Sequence, residues 1–143
     1  MTETAVERFR KALHAGDTEA VRALLAAHED VRAAVNAPIS HFRSRPVARA
    51  RTNLPILDVL LAYGADLNLK SDWWAGGFGL LEEGITLDQA APLIARGAIV
   101  DVFAAAHLRM FDRLRELVDR DPSLVHARGG DGKTPLHCAK TVE

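Results

Sequence analysis

Two segments of this chain repeat one pattern, an apolar helical stretch that ends in Gly-Ala, and this repetition constrains the fold more than any other feature. The segments are 56–68 (ILDVLLAYGADLN) and 89–101 (QAAPLIARGAIVD), so Gly97 follows Gly64 by 33 residues. A glycine just after a helix adopts the left-handed cap conformation at little steric cost. A repeat of this length is typical of folds in which short, similar units stack on one another.

Apolar residues spaced three and four apart predict further helical pairs around these segments. Gly16 and Asp17 separate the first pair, and Asp17 is expected to cap its second helix. No window alternates strongly enough to require a strand, so the predicted fold class is all-α. The predicted helices span 3–15, 17–29, 46–52, 54–63, 78–83, 87–96, 102–108, 110–120 and 135–141.

Pro92 lies inside one of the predicted helices, 87–96. Proline removes a backbone donor and its ring crowds the preceding turn. We therefore expect a kink at Pro92, or a helix that begins nearer Ala90.

The segment 131–137 (DGKTPLH) joins a turn signal to a helix start. Asp-Gly favours a turn, threonine caps a helix, and proline is tolerated at the first helical position. This segment resembles the start of an ankyrin repeat, and 60–68 (LLAYGADLN) resembles the second helix and exit of one. The spacing of 33 residues agrees with the period of that family. The chain thus resembles ankyrin repeat proteins, of a bacterial type with degenerate repeats, over nearly its whole length.

The resemblance implies a right-handed ankyrin-repeat solenoid of stacked helix-turn-helix pairs with short projecting turns. Stacking supplies the core that no single repeat can build alone. First helices and turns would line a concave groove that binds proteins. Residues 1–143 would form one domain, divided into a capping helix pair and its repeats at 1–36, 37–68, 69–101, 102–130 and, as the first helix of an incomplete repeat, 131–143.

Three departures from the family pattern bear on the fold. The repeat start near Pro46 is degenerate, and Gly-Gly-Phe-Gly at 76–79 stands where the family has Thr-Pro-Leu-His. Glycine is costly inside a helix, so helix 78–83 should be short or frayed. At the end, Leu136 and Ala139 would be incompletely covered. We therefore expect the chain to be a fragment of a longer protein, or its end to pack against another chain, including a second copy.

Asp72, Trp73 and Trp74 align with the tip of a projecting turn. Tryptophan is enriched among the residues that dominate protein interfaces, so this tip is a candidate binding site. The alternative is that one or both rings fold back over the glycine-rich segment. Arg128 and Lys133 are candidate contacts at the same rim, with plain solvent exposure as their alternative.

A local basic cluster, centred on Arg43, offers a second kind of site. Its members are His41, Arg43, Arg45, Arg49 and Arg51. Such a cluster can contact phosphates or an acidic protein surface; the alternative is a solvated face paired with nearby acids. The net charge of −1 gives no overall attraction to nucleic acid or to an anionic membrane.

The sequence offers no convergent catalytic or metal-ligating set. The six histidines lack zinc-ligand spacing with a cysteine, and Glu82-Glu83 reads as a solvated pair. By resemblance, His137 and Thr134 hydrogen-bond locally within their repeat. Cys138 is expected to be a small buried residue, and a single cysteine favours a reducing compartment. No N-terminal stretch resembles a signal peptide, so we expect a cytoplasmic protein without cofactor, metal or enzyme activity.

The predicted function is therefore a non-catalytic protein-protein interaction module. Its candidate partner-binding residues are Arg43, Asp72, Trp73, Trp74, Arg128 and Lys133. Two alternatives stay open: a structural arm of a larger protein, and a binder of an anionic ligand or nucleic acid through the Arg43–Arg51 cluster.

Overall fold

A computed structural model describes residues 2–139 of the chain. Every regular element in that range is helical and no described residue lies in a strand, which confirms the predicted all-α class. The chain divides into two compact units, Met1–Ser71 and Asp72–Glu143, called unit 1 and unit 2 below. Across the described range, no helix combines the length and apolarity needed to cross a membrane.

The described part of unit 1, residues 2–71, is built from five helices around an apolar core. They are α1 (Ala5–Ala15), α2 (Thr18–Ala27), α3 (Glu29–Ala33), α4 (Pro46–Arg49) and α5 (Leu54–Ala62), with a 3-10 turn at His41–Arg43. Helix α1 contacts α2, α3 and α4, whereas α5 packs on α2 and α4. The largest fully buried side chains here are Phe9, Val21, Leu25, Val31, Val47, Ile56, Leu57 and Leu60.

Local capping explains where the first two helices begin. The Thr4 side chain accepts from the backbone N–H of Glu7, whose carboxylate accepts from the backbone N–H of Thr4. Gly16 then ends α1 with a φ of 72°, and Asp17 caps α2 by accepting from the backbone N–H of Ala20. The predicted role of Asp17 is confirmed. Helix α3 was not predicted, because five residues are too few to show a helical period.

Between residues 72 and 139, unit 2 contains four helices joined by longer loops. They are α6 (Leu87–Ala95), α7 (Val102–His107), α8 (Phe111–Arg120) and α9 (Pro135–Cys138), with 3-10 segments at Pro122–His126 and Gly130–Gly132. The predicted helix 78–83 is wrong, since these residues form only loop and turns. Glycines on both sides of it explain the loss, because each glycine disfavours a helix.

Helix α6 begins at Leu87, three residues before the Ala90 start that Pro92 had made plausible. Thr86 and Gln89 form a reciprocal capping box, in which each side chain accepts from the other residue's backbone N–H. This cap fixes the start of the helix, and Pro92 lies inside α6. The predicted start at residue 87 is therefore confirmed, and the alternative of a start nearer Ala90 is wrong.

The two segments that repeat in sequence also repeat in geometry. After α5 the backbone N–H of Ala65 donates to the carbonyl of Leu60 over 3.0 Å, and after α6 that of Ala98 donates to Leu93 over 3.0 Å. Gly64 and Gly97 have positive φ values of 89° and 104°. The predicted glycine caps are confirmed at both positions.

A second correspondence joins α1 and α2 to α7 and α8. The backbone N–H of Asp17 donates to Ala12 over 3.0 Å, and that of Met110 donates to Ala105 over 2.9 Å, each at the turn between two helices. Gly16 and Arg109 occupy the same place in these turns. Helix α7 therefore corresponds to α1, and α8 corresponds to α2.

The correspondence continues into the loops before α4 and α9. Ser40 donates its backbone N–H to Ser44 over 3.1 Å, and Gly129 donates to Lys133 over 2.9 Å. Each loop contains a 3-10 turn with two consecutive positive φ values, and each leads to a helix that begins with a buried proline. Helix α9 is thus the counterpart of α4.

The turn before α8 stores backbone strain that its counterpart avoids. Arg109 has a φ of 59°, a left-handed conformation that Gly16 adopts without a side chain to crowd. That strain destabilises the folded state by of order 1–3 kcal/mol. A glycine in its place would relieve the strain but would stabilise the unfolded state by about 0.4–1 kcal/mol, because glycine gives the unfolded chain more conformations. We expect Arg109→Gly to raise the free energy of unfolding by about 1 kcal/mol in urea denaturation. Gly16→Ala, the reverse change at the matching site, should lower it, and a loss of stability in Arg109→Gly would contradict the strain.

Candidate partner-binding surface

Two loops of unit 2 are joined by a hydrogen bond from an indole. Trp73 donates its Nε1–H to Oδ1 of Asp131 over 2.8 Å, and the two residues are 58 positions apart in the chain. The bond links the segment that carries Trp74 to the segment 128–133. A long-range contact of this kind fixes the position of an otherwise irregular loop.

The two tryptophans have different environments. Trp73 is half-buried, whereas Trp74 is 85% exposed. Their ring centroids lie 5.8 Å apart with the planes tilted by 49°. Trp74 therefore does not fold back over the glycine-rich segment. It is presented to solvent beside a ring that is itself anchored.

Glycines allow the two loops to approach each other closely. A Cβ added to Gly76 would lie 2.4 Å from the carbonyl oxygen of Gly129, and one added to Gly130 would lie 2.3 Å from the Phe78 ring. Side chains at these positions cannot be accommodated without moving backbone or an aromatic ring. The glycine at position 76, within the glycine-rich segment 76–79, thus lets this loop pack closely against the loop that contains Gly129 and Gly130.

The structure brings two sets of predicted site residues onto these joined loops. The Arg128 guanidinium donates to the carbonyl of Gly132 over 3.1 Å, and the Lys133 ammonium lies 5.9 Å from the Phe78 ring centroid. Both side chains are exposed, as is that of Asp72. The predicted residues in unit 2 are Asp72, Trp73, Trp74, Arg128 and Lys133. Sequence reasoning missed Asp131, which it interpreted only as part of a turn.

The remaining predicted residue, Arg43, lies in unit 1. It is exposed in the 3-10 turn at His41–Arg43 with a φ of 53°. Elsewhere in the basic cluster, Arg45 donates to the carbonyls of Lys70 and Asn36 over 2.9 and 2.7 Å. Arg49 contacts the His14 ring. Arg45 and Arg49 thus make contacts within unit 1. The partners in these contacts are backbone carbonyls and an imidazole, whereas acidic side chains had been the expected alternative.

A cleft of about 210 Å³ also lies within unit 2. Its lining residues are Phe78, Glu82, Glu83, Gly84, His107, Gly130, Lys133, His137 and Cys138. Glu82 is only 5% exposed, so the prediction of a solvated acidic pair holds for Glu83 and is wrong for Glu82. His107 is buried, and its Nε2 lies 2.9 Å from the carbonyl oxygen of Ile85.

The chemistry of this cleft does not favour a reactive thiol. Cys138 is half-buried, and burial, reinforced by the negative charge of Glu82, raises the pKa of its thiol. A raised pKa lowers the thiolate fraction, and the thiolate is the nucleophile. Among residues 2–139, no group of three histidine, cysteine or acidic side chains could hold a metal ion.

The local hydrogen bond expected at the start of α9 is confirmed. Nδ1 of His137 lies 2.8 Å from Oγ1 of Thr134, and it accepts the backbone N–H of Thr134 over 3.2 Å. His137 therefore helps to cap its own short helix.

No known family model matches the sequence, and no curated protein matches it either.

Proposed function

We propose that the chain is an ankyrin-type repeat solenoid that acts as a non-catalytic protein-binding module, with Trp74 as its principal anchor. The observation that carries this proposal is the 85% exposure of Trp74 on a loop held by the Trp73–Asp131 hydrogen bond. A large aromatic side chain on a fixed loop is the kind of residue that dominates protein interfaces.

Internal repetition supports the ankyrin part of the proposal. The exits after α5 and α6 share one hydrogen-bond pattern, at the spacing of 33 residues typical of that family. The Thr-Pro-Leu-His segment at 134–137 caps its own helix through Thr134 and His137. Similar units with similar exits are what a stacked architecture requires.

The rigidity of the joined loops supports binding without large reorganisation. Gly76, Gly129 and Gly130 hold the loops at contact distance, and the Trp73 indole ties them together. A preformed surface avoids much of the ordering entropy that a mobile loop loses on association. Arg128 and Lys133 add exposed donors on the second loop.

The proposal extends to the organisation and setting of the protein. We place a single repeat domain over residues 1–143 in the cytoplasm, with a protein rather than a nucleic acid as partner. A balanced net charge of −1 and arginines already engaged in backbone contacts support a protein partner.

The Trp74→Ala variant tests this function. Immobilised chain would be incubated with lysate of the source cell, and bound proteins would be quantified by mass spectrometry. Loss of an interface anchor typically costs about 2 kcal/mol or more, so at least one captured protein should fall about tenfold or further. The exposed ring contributes little to the core, so the far-ultraviolet circular dichroism should not change.

Phe42→Ala is the matched control, because Phe42 is 69% exposed and lies in unit 1. It should leave the capture of the same protein unchanged. Equal capture by wild type and Trp74→Ala across all bound proteins would refute the assignment of Trp74 as the anchor.

A further inference from the structure

Helix α8 has a strongly apolar side that the rest of unit 2 leaves partly open. No residue of α8 is buried; Phe111 is 54% exposed and Val118 is half-buried. Leu136, which follows the buried Pro135 at the start of α9, is 82% exposed. Helices α8 and α9 both contact the segment Pro122–His126, and large exposed apolar side chains around one segment form a surface that proteins usually cover.

Unit 1 shows the same surface in its covered form. Leu25 on α2 corresponds to Val118, and Val47 on α4 corresponds to Leu136, yet Leu25 and Val47 are both 0% exposed. Helix α5 packs on both α2 and α4. The burial of these two side chains in unit 1 therefore accompanies a helix laid across α2 and α4.

No described residue of unit 2 takes the place of α5. Helices α8 and α9 both contact α7 and the segment Pro122–His126. In unit 1, α2 and α4 likewise both contact α1, and α2 also contacts α3. The described part of unit 2 thus lacks the helix that covers α2 and α4 in unit 1.

We propose that the surface formed by Phe111, Val118 and Leu136, named the α8 face, binds a largely apolar partner helix with the pattern of α5. In that pattern, seen in Leu54–Ala62, apolar residues occupy most of the helix surface and Asp58 is the one charged residue. This proposal is independent of Trp74 and of the protein that Trp74 would bind.

Charge distinguishes a partner helix from a second copy of this chain. Arg109 lies 6.0 Å from the Phe111 ring centroid, and Arg115 falls on the same side of α8, one turn after Phe111 and one turn before Val118. Two copies meeting through this face would bring like charges together, whereas an acidic residue on a partner helix complements them. In unit 1, α2 carries Arg22 where α8 carries Arg115, and it is covered by the helix that bears Asp58.

The test uses a synthetic, fluorescently labelled peptide with the sequence of residues 52–68, titrated with the full chain. We expect saturable binding by fluorescence anisotropy. Leu136→Glu in the chain should weaken it at least tenfold. Leu87→Glu is the matched control, because Leu87 is 51% exposed on α6, and it should change the affinity by less than twofold. A peptide with Asp58→Lys should bind more weakly than the parent peptide.

Several outcomes would overturn the proposal. One is the absence of saturable binding. Another is equal affinity of the peptide for wild type and Leu136→Glu, which would show that the peptide binds elsewhere, for instance by replacing α5 in unit 1. Sedimentation velocity adds a second readout. A concentration-dependent dimer that disappears in Leu136→Glu would assign the α8 face to a second copy and exclude the partner helix.

Discussion

The Phe9→Ala variant is expected to lose about 3–5 kcal/mol of unfolding free energy, the range for deleting a fully buried aromatic ring. Phe9 is 0% exposed in the core of unit 1, on α1, which packs against α2, α3 and α4. Its loss leaves a cavity that neighbouring helices fill only partly. Because small proteins are stable by about 5–15 kcal/mol in total, this one change would remove a large share of their margin.

Urea denaturation followed by circular dichroism measures this effect directly. Phe42→Ala is the control in the same unit, because Phe42 is 69% exposed and should change stability by less than about 0.5 kcal/mol. Equal stability of the two alanine variants would show that Phe9 does not lie in a packed core.

Gly76→Ala is expected to cost roughly 3 kcal/mol, from overpacking and backbone strain together. The new methyl group would lie 2.4 Å from the carbonyl oxygen of Gly129, which is backbone and cannot rotate away. A φ of 110° adds strain for any residue with a Cβ. The two joined loops would therefore separate, and the Trp73–Asp131 hydrogen bond should be lost with them.

Gly97→Ala separates the two causes, since Gly97 has a φ of 104° but no atom within 4 Å of an added Cβ. It should cost only the strain, of order 1–2 kcal/mol. Thermal unfolding monitored by tryptophan emission compares the two variants. Equal destabilisation by both would mean that the loops do not approach as described.

Features set by neighbouring residues were predictable from the sequence. The glycine caps at Gly64 and Gly97 and the aspartate cap at Asp17 depend on interactions within a few residues, and all three formed as expected. Helix 78–83, expected to be short or frayed, is absent, because the glycines in and around it disfavour a helix throughout the segment.

The candidate site was predictable only in part. The tryptophan pair was identifiable as a candidate site from its position, but the Trp73–Asp131 bond joins residues 58 positions apart, which no local pattern encodes. The burial of Glu82 likewise depends on which elements meet in three dimensions. The incomplete covering of Leu136, in contrast, was predicted from the sequence and is confirmed by its 82% exposure.

The division of the chain into two units also separates its chromophores. Both tryptophans, Trp73 and Trp74, belong to unit 2, and the single tyrosine, Tyr63, belongs to unit 1. Excitation at 295 nm therefore reports on one half of the molecule, while the tyrosine signal reports on the other. Each half carries its own intrinsic optical probe, so cooperativity between the halves can be measured on the unlabelled, unmodified protein.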